Sequence, residues 1–210
     1  MIRITIDPSR PLGPQLAPAV AALRAGQVVA FPTDTLYGLA VDPRSDSALD
    51  RLFTLKGRDA DRRVALIAAN RDQADVVGEF TEAATRLADR CWPGPLTLLV
   101  PSRPGVAERS RSPQGLVGIR VPDHAVARAL ADAFGHAVTA TSANRAGEPA
   151  TSSPDHVSAS LPSVDVLVDG GASPGGPPST MVQVDGDAVQ LVREGALPWS
   201  RVLEFLKSPS

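Results

Sequence analysis

Short apolar runs alternate with stretches of helical periodicity along most of this chain. Runs at Ile2–Ile6, Gln27–Phe31, Val64–Ala69, Leu96–Val100, Leu116–Val121, Ala137–Ala140, Val164–Val168, Met181–Val184 and Ala188–Val192 have the length and make-up of strands. Between them, apolar spacings of three and four residues predict helices over Gln15–Ala25, Ser47–Leu55, Gln73–Val77, Glu82–Cys91, Ala125–Phe134, Pro154–Ser160 and Trp199–Leu206. Strands and helices alternate first, and paired strands dominate the end. That order predicts an α/β fold, a single twisted mixed sheet with flanking helices. The helix from Ser47 carries Leu49, Leu52 and Phe53 on one stripe, with Lys56 at its far end.

Polar clusters interrupt this pattern where strands or helices end, the places where α/β proteins build their sites. The stretch Phe31-Pro-Thr-Asp-Thr-Leu-Tyr-Gly38 steps off an apolar run and presents three hydroxyls and a carboxylate. The others are Lys56-Gly57-Arg58 with Asp59, Asp61, Arg62 and Arg63; Thr139 to Gly147, containing Ser142 and Asn144; and Ser179-Thr180 with Arg193-Glu194-Gly195. Arg120 interrupts the apolar strand Gly118–Val121. Each has a plain structural reading: a helix N-cap at Thr33–Thr35, a solvated charged loop, turn chemistry, a solvent-facing arginine. Five in one chain point further. The dispersed cations suit a polyanion such as a nucleoside triphosphate, and the Ser, Thr and Asn groups suit a small polar substrate.

Charge and composition narrow the field. Nineteen of the 21 basic residues are arginine; Lys56 and Lys207 are the exceptions, and Lys207 falls in a tail expected to fray. A net charge of −2 gives no global pull toward nucleic acid or anionic membrane. One cysteine, Cys91, excludes an internal disulfide and multi-cysteine metal sites. No run of ~18 apolar residues marks a membrane span, and MIRITIDPSRP has no signal-peptide pattern. A cytoplasmic protein is the expectation. The chain lacks a Walker A sequence and a GxGxxG turn after a strand, so any phosphate site would rest on side-chain cations. His124, His136 and His156 lack metal-ligand spacing, and no metal site is expected. Asp169–Ser179, rich in Gly and Pro, reads as a structured loop.

The motifs FPTDTLYGLAVD, LKGR, WPGPLTLLV, VGIRVPDH, TSANRAGEPA and ST-MVQV with LVREG occur in this order and resemble the YrdC-domain family. The resemblance covers roughly residues 10–200 and implies one YrdC-like domain over 1–210, of the short bacterial type, with a concave, electropositive cleft. The family's best-known members are threonylcarbamoyl-adenylate synthases. These make L-threonylcarbamoyl-adenylate and pyrophosphate from L-threonine, bicarbonate or CO2, and ATP. The activated group passes to adenosine 37 of tRNAs reading ANN codons through a separate transferase complex. The resemblance thus implies ATP as a substrate with Mg2+ accompanying it, tRNA as an indirect partner, weak RNA binding and no membrane.

Carried over by motif, Thr35, Arg120, Ser142 and Ser179 would hold threonine, Arg120 pairing with its carboxylate. Lys56, Arg58 and Arg62 would face the triphosphate, with Asn144, Ser152 and Arg193 on the nucleotide side. Lys56 and Arg58 are the expected catalytic residues. Asp34 could orient substrate, assist Mg2+ or cap a helix; the cap is favoured. Where the family often has Pro after KGR and then Lys-Pro-Leu, this chain has Asp59 and Arg62-Arg63-Val64. The alternatives are an RNA-binding or ribosome-maturation factor using the same basic cleft, a carbamoyl-adenylate enzyme like the related hydrogenase-maturation domain, and a fold that has lost activity.

Overall fold

Ten strands among the described residues, 1–57 and 64–207 of a computed structural model, form one mixed sheet. In chain order they are β1 (Ile2–Thr5), β2 (Val29–Phe31), β3 (Gly38–Ala40), β4 (Ala65–Ile67), β5 (Leu96–Pro101), β6 (Leu116–Arg120), β7 (Val138–Ser142), β8 (Val166–Asp169), β9 (Thr180–Asp185) and β10 (Ala188–Arg193). The helices are α1 (Leu12–Arg24), α2 (Asp46–Lys56), α3 (Arg71–Val77), α4 (Glu82–Cys91), α5 (Ala125–Phe134), α6 (Pro154–Ser160) and α7 (Trp199–Lys207). Strands lie in the order β1-β8-β2-β3-β7-β4-β6-β5-β9-β10. Lys207 closes α7; the rest of the tail expected to fray lies outside the described residues.

Alternation along the buried strands assigns the helices to faces. Val29 and Phe31 join a cluster with Leu16 and Leu23 of α1 and Leu130 and Phe134 of α5. Ala30, between them, joins Leu49, Leu52 and Phe53 of α2 and Val157 of α6. Further along the sheet, Leu98, Val117, Ile119 and Val182 pack against Leu87 of α4 and Val202 of α7. Gly118 and Arg120 alternate with Val117 and Ile119 and so turn to the other face. A Cβ at Gly118 would lie 3.3 Å from the Thr97 methyl and 3.5 Å from Ala65.

Helix α2 delivers Lys56. Ser45 caps it by accepting the Ala48 N–H, and Gly57 closes it in the left-handed region at φ 59°. The stripe read from sequence is buried throughout: Leu49 and Leu52 are 0% exposed, Phe53 4% and Lys56 3%. Each large apolar side chain contributes about 2 kcal/mol by leaving water, against about 1 kcal/mol for the cap, so packing sets the helix position.

Two elements depart from the sequence reading. Helix α1 starts at Leu12, before Gln15, because Pro14 falls in the first turn, where its missing N–H has no helical partner to lose. The segment after the Thr-Asp-Thr turn is a strand, β3, paired antiparallel to β2 and β7. No helix follows Asp34, so the favoured helix-cap role is incorrect.

Candidate active site

The turn Pro32–Tyr37 links β2 to β3, and its position follows from where its side chains are tied. Tyr37 is fully buried and its hydroxyl donates to Gly171 O at 2.7 Å. Burial pushes that phenol up to about 12, so it stays a donor. Thr33 Oγ1 donates to Leu36 O at 2.7 Å and lies 3.1 Å from Thr35 Oγ1. The Gly175 N–H donates to Thr35 O at 2.8 Å, and the Ser173 N–H to Ser152 O at 2.9 Å. The Gly-Pro-rich segment is therefore the structured loop its composition suggested, laid against this turn.

A cleft of about 640 Å³ opens beside the turn, over the sheet face that Gly118 keeps clear. Thr35, Lys56, Arg120, Ser142, Asn144, Ser179 and Arg193 all line it, brought from six separate segments. Thr33, one of the hydroxyls the turn presented in sequence, lines it too, as does Thr97, which sequence reasoning missed. Thr97 is 2% exposed, and its hydroxyl lies 2.9 Å from the Ser179 hydroxyl. A polar residue inside the apolar run Leu96–Val100 was the signal. Ser152 is not among the lining residues and stands behind the 170–179 loop. Arg58 and Arg62 lie outside the described residues, as do Asp59 and Arg63.

Lys56 shows why this arginine-rich chain uses an ammonium here. Its Nζ donates to the carbonyls of Ser142 and Asn144, the latter at 2.8 Å, and to Asn144 Oδ1 at 3.4 Å. The last of these acceptors belongs to a side chain, the other two to the backbone. Several oxygens converging on one nitrogen suit a compact ammonium better than a planar fork. The Ala146 N–H adds a bond to Lys56 O at 2.8 Å, so the 142–146 segment is fastened to the end of α2.

Arg120 is 6% exposed. Its NH2 group donates to Asp34 Oδ1, while its Nε has no partner among the described residues. Burial, and then the nearby Arg193, bring its pKa down to about 10, still charged at neutral pH. Desolvation lowers Arg193 as well. Two desolvated guanidinium groups, one of them paired with Asp34, would gain from an anion placed between them. Arg193 also donates to Ser179 O at 2.9 Å.

The base of β9 is built for close approach. Thr180 Oγ1 accepts the Gly195 N–H at 2.9 Å and the Leu197 N–H at 3.2 Å, and the Ala196 N–H donates to Pro178 O at 2.8 Å. A Cβ at Gly195 would fall 2.0 Å from Pro178 O and 2.7 Å from the Ser179 carbonyl carbon. G195A is expected to cost about 2 kcal/mol through this backbone clash, lowering the melting temperature by roughly 6 °C. It should also weaken binding of any ligand held by Ser179. A calorimetric melt and a ligand titration check both.

His124, at the start of α5, lies near Arg120, Asp123 and Arg128. Burial first, and Arg128 next, hold its pKa below the ordinary 6.5. The unfolded chain therefore takes up more protons than the folded one as pH falls through 6.5, and stability declines until the folded imidazole titrates. H124Q is expected to flatten that part of a melting-temperature profile taken from pH about 8 to about 5.

An open mixed sheet bearing a hydroxyl-lined cleft with Lys and Arg side chains defines an α/β protein equipped for a small polar substrate beside an anion. The chain matches the Sua5/YciO/YrdC profile, described as telomere recombination, over residues 21–195, and belongs to that family. It is 37% identical over 187 residues to the threonylcarbamoyl-AMP synthase of Bacillus subtilis, covering 88% of this chain and 54% of that protein. It is 40% identical over 169 residues to the threonylcarbamoyl-AMP synthase of Chromohalobacter salexigens, covering 80% of this chain and 91% of that protein. The crystal structure of P. abyssi Sua5 complexed with L-threonine superimposes with a TM-score of 0.90 at 32% identity, covering 98% of this chain and 60% of that one. The chain thus spans about half the length of the Bacillus relative. No helix among the described residues is long and apolar enough to cross a membrane.

Proposed function

We propose that this protein is an L-threonylcarbamoyladenylate synthase, a nucleotidyl-transferring enzyme that uses L-threonine, bicarbonate or CO2, and ATP. The observation that carries this reading is the buried, half-satisfied Arg120 guanidinium in a cleft that also presents the Thr33, Thr35, Ser142 and Ser179 hydroxyls. Such a group suits the carboxylate of a small amino acid whose hydroxyl finds donors and acceptors nearby. The threonine complex of a family member with the same fold supports it. No observation favours the RNA-binding alternative.

In this reading the neutral threonine amine attacks the carbon of CO2, or of bicarbonate with loss of water, and gives up a proton to form a carbamate. A carbamate oxygen then attacks the α-phosphorus of ATP, and the bond to pyrophosphate breaks. No enzyme nucleophile is needed; positioning and charge neutralisation suffice. Arg120 would hold the carboxylate, with Thr35, Ser142 and Ser179 around the substrate. Lys56, Asn144 and Arg193 would serve the nucleotide together with Arg58 and Arg62, while Ser152 would act through the 170–179 loop it supports. Mg2+ would accompany ATP as a counterion of the triphosphate. The product would pass to a transferase acting on tRNA in the cytoplasm.

The test is product identity. With ATP, L-threonine and 13C-bicarbonate, the purified protein should release threonylcarbamoyl-adenylate carrying one labelled carbon. A product without that label, or AMP alone, contradicts the reading.

A further inference from the structure

Asp34 lies in a turn whose neighbours are committed elsewhere. Thr33 Oγ1 accepts the Thr35 N–H at 3.2 Å as well as donating to Leu36 O. The Asp34 carboxylate reaches instead across the cleft wall. Its Oδ1 accepts from Arg120, and its Oδ2 accepts the Asp123 N–H at 3.1 Å. The pair is withdrawn from water, with side chains 7% and 11% exposed. Arg120 comes off a strand and would otherwise have several rotamers open to it over the small side chains of that face. A buried guanidinium with one terminal nitrogen bound to Asp34 and its Nε unpartnered retains both charge and donor capacity for one more acceptor.

We propose that Asp34 is a positioning residue, clamping one edge of the Arg120 guanidinium so that its remaining donors are fixed for the carboxylate of an amino-acid substrate. The proposal rests on the threonine reading above. It assigns Asp34 neither a proton to move nor a metal to hold. A planar guanidinium tethered at one nitrogen, to a carboxylate itself fixed by the Asp123 N–H, loses part of its rotational freedom before the substrate arrives, so binding has less ordering to supply. The pair also compensates the buried Arg120 charge within the protein. The incoming carboxylate then shares a guanidinium already in place.

The test is a double-mutant cycle on ligand binding, with L-threonine and ATP titrated separately into wild type, D34N, R120Q and D34N/R120Q. D34N is expected to weaken threonine binding about tenfold and to leave ATP binding within about twofold. In the R120Q background D34N should add no further loss, since Asp34 acts through Arg120. Threonine binding by D34N equal to wild type, equal losses for threonine and ATP, or additive losses in the double variant would each overturn the proposal. Should D34N fail to fold, the double variant removes the buried charge together with its partner. Its threonine affinity against R120Q then decides: no further loss supports the clamp, and a further loss overturns it. A wild-type protein that binds no threonine ends the threonine reading and this proposal with it. A wild type that binds while D34N is unaffected ends only this proposal.

Discussion

Replacing Lys56 by arginine is expected to reduce pyrophosphate release about a hundredfold or more, as severely as replacement by methionine. Charge is retained in the first variant and lost in the second, so a site needing only a cation would separate them. The Lys56 ammonium meets the carbonyls of Ser142 and Asn144 and the Asn144 side-chain oxygen in a setting 3% exposed. An arginine spreads its donors over three nitrogens and has no room to bring them to one point. Methionine leaves the carbonyls without their donor, at about 1–3 kcal/mol. Both variants should loosen the 142–146 segment, which presents Ser142 and Asn144 to the cleft. Faster amide exchange there, with exchange in α4 unchanged, is the accompanying signature. Full activity in K56R would show that charge alone is required.

Removing Arg120 should act on one substrate. R120A is expected to raise the threonine requirement about a hundredfold or more, because the charge-assisted contact proposed for the threonine carboxylate would be lost. The ATP requirement should move far less. Stability should also fall, on the order of 3 kcal/mol, since Asp34 is left in a poorly hydrated place with only the Asp123 N–H. Steady-state kinetics with each substrate varied, alongside a denaturant melt, check both parts. An unchanged threonine requirement would remove Arg120 from the carboxylate site.

These two residues also mark how far the sequence could be read. Lys56 was legible because α2 is locally consistent: a Ser cap, an apolar stripe and a closing Gly place the next stripe position on the buried side. Helices α4 and α5 were legible end to end from their apolar stripes, with a Thr81 cap on the first and a closing Gly135 on the second. Arg120 could be placed on a strand, but alternation does not say which face a helix layer will cover. That depended on Val117 and Ile119 meeting α3, α4 and α7. Strand β3 was hidden because three residues, Gly-Leu-Ala, carry no period of their own. It exists through pairing with β2 and with β7, more than a hundred residues away. Asp34 was misassigned for a related reason. A short acidic residue in a turn looks the same from sequence whether it caps a helix or reaches Arg120, and only the tertiary fold distinguishes them. The gathering of Ser179, Arg193 and Gly195 was suggested by their clustering, but the Thr180 and Gly195 contacts that enforce it were not.

The central claim is that one cleft joins threonine, bicarbonate and ATP without a covalent intermediate. Pyrophosphate release by the purified chain, with L-threonine and bicarbonate each present or omitted, tests it most directly. The account predicts release only when both are present, in step with the formation of threonylcarbamoyl-adenylate. Release that proceeds equally without threonine, or no release with all three substrates present, would contradict it.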